Sequence, residues 1–151
     1  MKKILITRKL INSSEELATK FFDVKLNKED KILSKEELIK KSEGCDGILS
    51  SITDKFDSNL IYKLPSTIKI ISNFAVGFGN INIEAAKKKN IVVTNTPDVL
   101  TDATAEIAIL ILLGAARRAK EGIEWVNKKN WKWTADFLMG KQLSDSRLGI
   151  L

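Results

Sequence analysis

Over its first hundred residues the chain alternates short β-branched runs with helical runs, and that alternation limits the fold more than any other feature. Residues 3–7, "KILIT", make a strand-length apolar run, and residues 22–27, "FDVKLN", alternate with period 2. "DGILSS" at 46–51, "IKIIS" at 68–72 and "IVVTN" at 91–95 are further strand-length runs. The segments between them read as helices. Ser13 or Ser14 is placed to cap a helix carrying Leu17, Ala18 and Phe21 on one face. Ser34, with Glu37 three positions on, forms a capping box that opens a helix through Lys41. Residues 57–63 make a short helix ended by Pro65, and Asn82 caps a helix over 83–89. Strands separated by helices at this spacing predict an α/β fold, a parallel sheet with helices on both faces. Such sheets bind ligands at the carboxyl ends of their strands, near a switch in strand order. The candidate functional loops are therefore 7–9, 50–53, 73–80 and 95–100.

From Thr101 the pattern changes. Residues 101–129 read as one long helix, capped by Thr101 or Asp102 and apolar nearly all round in its first half. Such a surface is expected to be buried in the full-length protein by parts outside these residues, and so to form an exposed apolar patch here that makes the isolated chain associate. Ala119, Ile123 and Val126 share one face of the second half, and Gly114 lies inside the helix. The following segment is irregular and aromatic, with Trp125 and Trp131 as expected packing anchors. The last residues, "RLGIL", read as the start of a new strand. The expected division is 1–99 and 100–151.

Composition matters mainly for what it excludes. The single cysteine, Cys45, rules out an internal disulfide and a multi-cysteine metal site, and it reads as a small core residue. No metal site is expected. The net charge of +6 comes from 25 basic and 19 acidic residues, and only Arg8, Arg117, Arg118 and Arg147 are arginines. Lysines spread among acids do not make a nucleic-acid surface, so no nucleic-acid partner is expected. The dense runs, 87–89 and 128–129, sit where cations suit helix C-termini. The longest apolar run, 107–113, is too short to span a bilayer, and Arg8 and Lys9 interrupt any signal-peptide core. A cytoplasmic protein without a membrane partner is expected. The chain has no histidine, so the commonest general acid–base near neutral pH is absent from these residues.

The most informative loop is "SNFAVGFGNIN", residues 72–82, where Gly77-Phe78-Gly79 joins a strand to a helix. A dinucleotide fingerprint would need a third glycine at Asn82 and an acid where Asn95 and Thr96 stand. A phosphate-binding P-loop is excluded because no Gly-Lys-Ser/Thr occurs. Two readings remain open from the residues alone. The glycines bring backbone N–H groups close to a small anion such as a carboxylate, or they supply a tight turn at positive φ.

"VGFGNI" at 76–81, "VTNTPDVLTDATAE" at 93–106 and "LLGAARR" at 112–118 resemble, in order and spacing, the D-isomer-specific 2-hydroxyacid dehydrogenases, with the glyoxylate/hydroxypyruvate reductases as the nearest branch. The similarity extends more weakly to 47–57 and to the tail. The resemblance implies a flavodoxin-like substrate-binding domain at 1–99. It implies that 100–151 is the N-terminal segment of a nucleotide-binding domain, a long helix followed by the first strand of an incomplete Rossmann domain. It implies NAD or NADP as cofactor, a small 2-oxo or 2-hydroxy acid as substrate, and a homodimer for the full-length protein. By the same resemblance the N–H groups around Ala75, Val76 and Gly77 bind the substrate carboxylate. Ile52 lies over the substrate, and Thr104 lies near the cofactor's ribose and phosphate. Trp133 and Phe137 fall in an aromatic loop that reaches a neighbouring subunit's site. Gly79 stands where the family more often has aspartate or asparagine, and Asn82 replaces a common aspartate at a helix cap. No catalytic residue is expected within these 151 residues: the family's arginine, glutamate and histidine would lie further on, and Arg117 and Arg118 match a helix motif instead. The chain alone is expected to be inactive. Two other classes compete with this reading. A receiver-like domain would need acidic residues that 7–9 and 50–51 lack, and a non-catalytic carboxylate-binding or regulatory module remains the alternative.

Overall fold

The computed structural model describes residues 1–128 and 133–150. The chain divides into two compact units, Met1–Val99 and Leu100–Leu151.

The first unit holds β1 (Lys3–Ile6), α1 (Asn12–Phe21), β2 (Asp23–Leu26), α2 (Lys35–Ser42), β3 (Gly47–Ser51), α3 (Ser58–Lys63), β4 (Ile70–Phe74), α4 (Ile83–Lys88) and β5 (Val92–Thr94). Its five strands are parallel in the order β2-β1-β3-β4-β5. The strand order reverses between β1 and β3, so the crevice beyond their carboxyl ends is the switch point at which such sheets bind ligands. Right-handed crossovers put α1 on one face and α2, α3 and α4 on the other.

Register explains the core. Leu5, Ile48, Ile71 and Val93 lie side by side across four strands. The first three are buried against Leu38 of α2, Leu60 and Ile61 of α3, and Ala85 and Ala86 of α4. The opposite row is unevenly covered: Gly47 is buried and Ile4 half-buried, but Ile70 is 38% and Val92 58% exposed. A Cβ on Gly47 would sit 2.8 Å from Ile70 Cγ2, so glycine lets these two strands keep their spacing.

The helix starts follow local chemistry. Ser34 and Glu37 form the predicted capping box, Asp57 caps α3, and Asn82 caps α4 through Ala85 N–H at 2.9 Å. At the other end of α3, Lys89 Nζ donates to the carbonyls of Ile61, Tyr62 and Leu64. The first helix differs from expectation. It begins at Asn12 after Ile11, which makes no side-chain cap, so Ser13 and Ser14 lie inside its first turn. The Leu10 N–H is taken instead by Glu15 Oε1 at 2.9 Å. Leu17 and Phe21 stay 56% and 65% exposed, so the first unit leaves the apolar face of α1 uncovered.

The second unit corrects three expectations. The long helix is two helices, α5 (Thr101–Ala116) and α6 (Ala119–Asn127). Arg118 takes a left-handed conformation at φ 54, which ends α5, and its guanidinium then pairs with Glu121 at the start of α6. The first residue before α5 is Leu100, without a side-chain cap, rather than Thr101 or Asp102. The exposure of α5 does follow expectation, since none of its residues is buried. Residues 147–150 form no strand: a strand is stabilised by pairing with another, and none lies beside them among the described residues. Trp125 anchors the unit as expected, with Phe137 edge-on at 5.3 Å and Lys128 over its ring. Trp131 and Lys129 lie outside the described residues. Gly140 lies so close to the end of α5 that a Cβ there would be 2.4 Å from the Ala116 carbonyl oxygen.

Candidate functional site

The loop after β4 is built by fixing its carbonyls. The Ala75 carbonyl accepts from Thr96 N–H at 2.9 Å, the Val76 carbonyl from Asn95 Nδ2 at 2.7 Å, and the Gly77 carbonyl from Asn73 Nδ2 at 2.9 Å. Every peptide here is trans. In a trans peptide the N–H points opposite to the C=O. Holding those carbonyls therefore turns the N–H groups of Val76, Gly77 and Phe78 the other way. None of these N–H groups has an acceptor among the described residues. A run of unpaired N–H donors is an anion-binding arrangement.

The glycines of this loop are not there for backbone strain. Neither Gly77 nor Gly79 has positive φ, and a Cβ at either would meet nothing within 4 Å. The tight-turn reading fails on both counts. What glycine still provides is an unobstructed approach to the adjacent N–H groups from outside the chain.

A second loop lies at the end of β3. Residues 51–54 form a turn closed by Asp54 N–H on the Ser51 carbonyl at 3.1 Å. Asp54 Oδ2 takes Ser51 N–H at 2.9 Å and the Thr7 hydroxyl at 2.5 Å. Ile52 stands at the tip, 57% exposed. Arg8 Nη1 donates to Thr53 Oγ1 at 2.9 Å, and Arg8 Nε pairs with Asp30 at 2.8 Å. The guanidinium in turn holds the Asp30 carboxyl below the usual carboxylate range.

Two amides, buried Asn73 and half-buried Asn80, join the two loops. Asn80 Nδ2 donates to the carbonyls of Ser51 and Asp54, which flank Ile52. Its Oδ1 accepts from Asn73 Nδ2, the group that also holds Gly77. Asn73 Oδ1 accepts from Ser50 Oγ at 3.1 Å. Asn73 and Asp54 are 0% and 1% exposed, and Asp54 Oδ1 has no partner among the described residues. The structure thus brings the loop of Ile52 and the loop of Ala75, Val76 and Gly77 into one hydrogen-bonded assembly. Sequence reasoning named those four residues and missed Asn73, Asn80, Asp54 and Asn95. A signal did exist for Asn73: it shares the strand face of buried Ile71 two positions earlier, and a polar group there must find partners.

Residues 4–141 match the catalytic domain of the D-isomer specific 2-hydroxyacid dehydrogenases. The chain belongs to this family. It is similar to the glyoxylate reductase of Thermococcus litoralis, at 38% identity over 99% of this chain and 46% of that protein. Its fold is similar to a candidate NAD-binding D-isomer specific 2-hydroxyacid dehydrogenase from Polaromonas sp. JS6 66, with a TM-score of 0.86, 32% identity, and coverage of 95% and 45% of the two chains. It is also similar to the NADPH-dependent glyoxylate/hydroxypyruvate reductase of Sinorhizobium meliloti, solved with NADP and malonate (TM-score 0.71, 27% identity, 86% and 39% covered). The chain spans about half the length of the relatives it matches.

Thr104 occupies the first turn of α5 and donates its hydroxyl proton to the Leu100 carbonyl at 2.8 Å. Its oxygen keeps acceptor capacity, which suits a ribose hydroxyl better than a phosphate oxygen. The N–H groups of Thr101, Asp102 and Ala103 have no cap among the described residues, and a helix start of that kind suits a phosphate. These residues fit the near end of a dinucleotide. Among the described residues there is no cluster of side chains able to hold a metal ion, and no helix long and apolar enough to cross a membrane.

Proposed function

We propose that this chain supplies the carboxylate-binding half of an NAD- or NADP-dependent oxidoreductase acting on a small 2-oxo or 2-hydroxy acid of the glyoxylate or hydroxypyruvate type. The observation that carries this reading is the row of N–H groups at Val76, Gly77 and Phe78, unpaired among the described residues, beside glycines whose Cβ positions would meet nothing within 4 Å. Residues 1–99 are the substrate domain, and 100–151 open the nucleotide-binding domain. The Ala75, Val76 and Gly77 segment takes the carboxylate, and exposed Ile52 covers the carbon chain. Thr104 and the start of α5 face the cofactor, which when bound supplies the hydride. The full-length enzyme works as a cytoplasmic homodimer, its exposed α5 being one part of the surface that a second copy would cover.

The 151-residue chain alone binds its substrate without turning it over. It has no histidine, so a proton donor of the kind best suited to neutral pH must come from elsewhere. The test is a titration of the ¹⁵N-labelled chain with sodium glyoxylate against sodium chloride, read by amide chemical shifts. Saturable movement at Val76, Gly77 and Phe78 is expected. Unmoved peaks there would sink the carboxylate assignment, and steady NADH or NADPH oxidation by the chain with glyoxylate would sink the claim of inactivity.

A further inference from the structure

We infer that Asn95 is a positioning residue for the anion-binding loop, acting by fixing the peptide between Val76 and Gly77. The inference rests on the carboxylate reading above and adds a residue to it. Asn95 Nδ2 reaches the Val76 carbonyl at 2.7 Å, the shortest of the three bonds that hold this loop's carbonyls. That carbonyl and the Gly77 N–H belong to one planar trans unit. One hydrogen bond on the far side of the peptide therefore sets the direction of the central donor. The neighbouring bonds, from Thr96 N–H and from Asn73, do the same for the Val76 and Phe78 donors.

The three bonds differ in how much else depends on them. Asn73 is fully buried and also bonds Ser50 and Asn80, so its loss would disturb the core. Thr96 acts through its main chain, which a side-chain substitution leaves in place. Asn95 is only half-buried, and the Val76 carbonyl is the one partner its side chain has among the described residues. Its single bond is aimed at the loop and at nothing that holds the sheet together. With that bond absent, the peptide is free to rotate, because Gly77 has no Cβ contact to restrain it. A pre-oriented donor binds its ligand without first losing that freedom.

The test uses the whole 151-residue chain and its Asn95→Ala and Asn95→Gln variants. Each is titrated with sodium glyoxylate by amide chemical shift, and the Gly77 N–H direction is measured without ligand by residual dipolar coupling. Asn95→Ala is expected to weaken glyoxylate binding by about threefold to tenfold, the range of one neutral hydrogen bond. Its Gly77 coupling should shrink, its thermal midpoint should stay at the wild-type value, and Asn95→Gln, which keeps an amide donor, should recover part of the affinity. A purely structural role would instead lower the midpoint and leave Gly77 ordered. Wild-type affinity together with an unchanged Gly77 coupling in Asn95→Ala overturns the inference while leaving the carboxylate site standing. If the wild-type chain does not respond to glyoxylate, the carboxylate reading falls, and the Gly77 coupling still decides whether Asn95 orients the peptide.

Discussion

Asn73 and Asn80 face each other amide to amide: Nδ2 of Asn73 donates to Oδ1 of Asn80 at 3.0 Å, and Nδ2 of Asn80 reaches Oδ1 of Asn73 at 3.3 Å. The pair joins the end of β4 to the turn that carries Ile52, because Asn80 also donates to the Ser51 and Asp54 carbonyls. Truncating Asn80 to alanine leaves the Asp54 carbonyl without its donor, while the Ser51 carbonyl keeps only the Asp54 N–H. Unfolding free energy should fall by about 1 to 3 kcal/mol, read by urea denaturation followed by circular dichroism. A loss below the error of the fit would show that water replaces the amide at no penalty.

Gly77→Ala separates folding from binding. The backbone there is at negative φ and the space around a new Cβ is empty. Stability should hold or rise by about 0.4 to 1 kcal/mol, because alanine narrows the unfolded ensemble. Affinity for glyoxylate should fall by about tenfold or more, since the methyl group occupies the ligand's approach. Calorimetric binding equal to wild type would remove the reason given for glycine at this position.

Lys89 closes the C-terminal end of α3 through the Ile61, Tyr62 and Leu64 carbonyls. Partial burial pushes its ammonium below the usual lysine range, but the acceptors keep it useful as a donor. Lys89→Met retains the stem and deletes the charge. A loss of about 1 to 2 kcal/mol is expected in the same denaturation assay, and a neutral result would assign those carbonyls to solvent.

Acid should act through Asp57. Lys35 first, and the Leu60 N–H after it, hold this carboxyl below its ordinary 3.8. A depressed folded value favours the folded chain above the unfolded value, and that contribution disappears as pH falls through the folded one. The sign therefore predicts a loss of stability from about pH 3.8 downward. Asp57→Asn keeps a capping oxygen without the titration, so its stability should vary less with pH across that window. Parallel curves for the two proteins would discount the ion pair.

The exposed apolar surface of α5 predicts association. Leu110 and Ile111 are 63% and 64% exposed in a helix with no buried residue, and contiguous apolar area of this kind draws molecules together. Sedimentation velocity should show species that grow with concentration, and Leu110→Glu should shift the distribution toward monomer. A wild-type chain that stays monomeric throughout would refute this.

The sheet was legible because its signals are local. Each strand run and the Ser34, Asp57 and Asn82 helix starts depend on residues within a few positions of one another. The break at Arg118 was not, since a left-handed arginine has no compositional mark of the kind glycine leaves. The exposure of α5 was legible too, because an apolar helix states that it needs a cover without stating that one is present in the same 151 residues. At the site, Val76, Gly77 and Ile52 were reached through family motifs. The amides that hold them came only from the fold, because Asn95 and Val76 lie 19 positions apart and meet only once β4 and β5 pair.

Asn95 and Thr96, which grip the loop at Val76 and Ala75, lie on the stretch of chain that leaves the first unit at Val99. A tug on that stretch is felt as torque on the peptides it holds. If the loop takes the carboxylate as proposed, ligand occupancy and tension in the connecting chain are mechanically linked: a seated anion would stiffen the exit, and a displaced exit would loosen the anion.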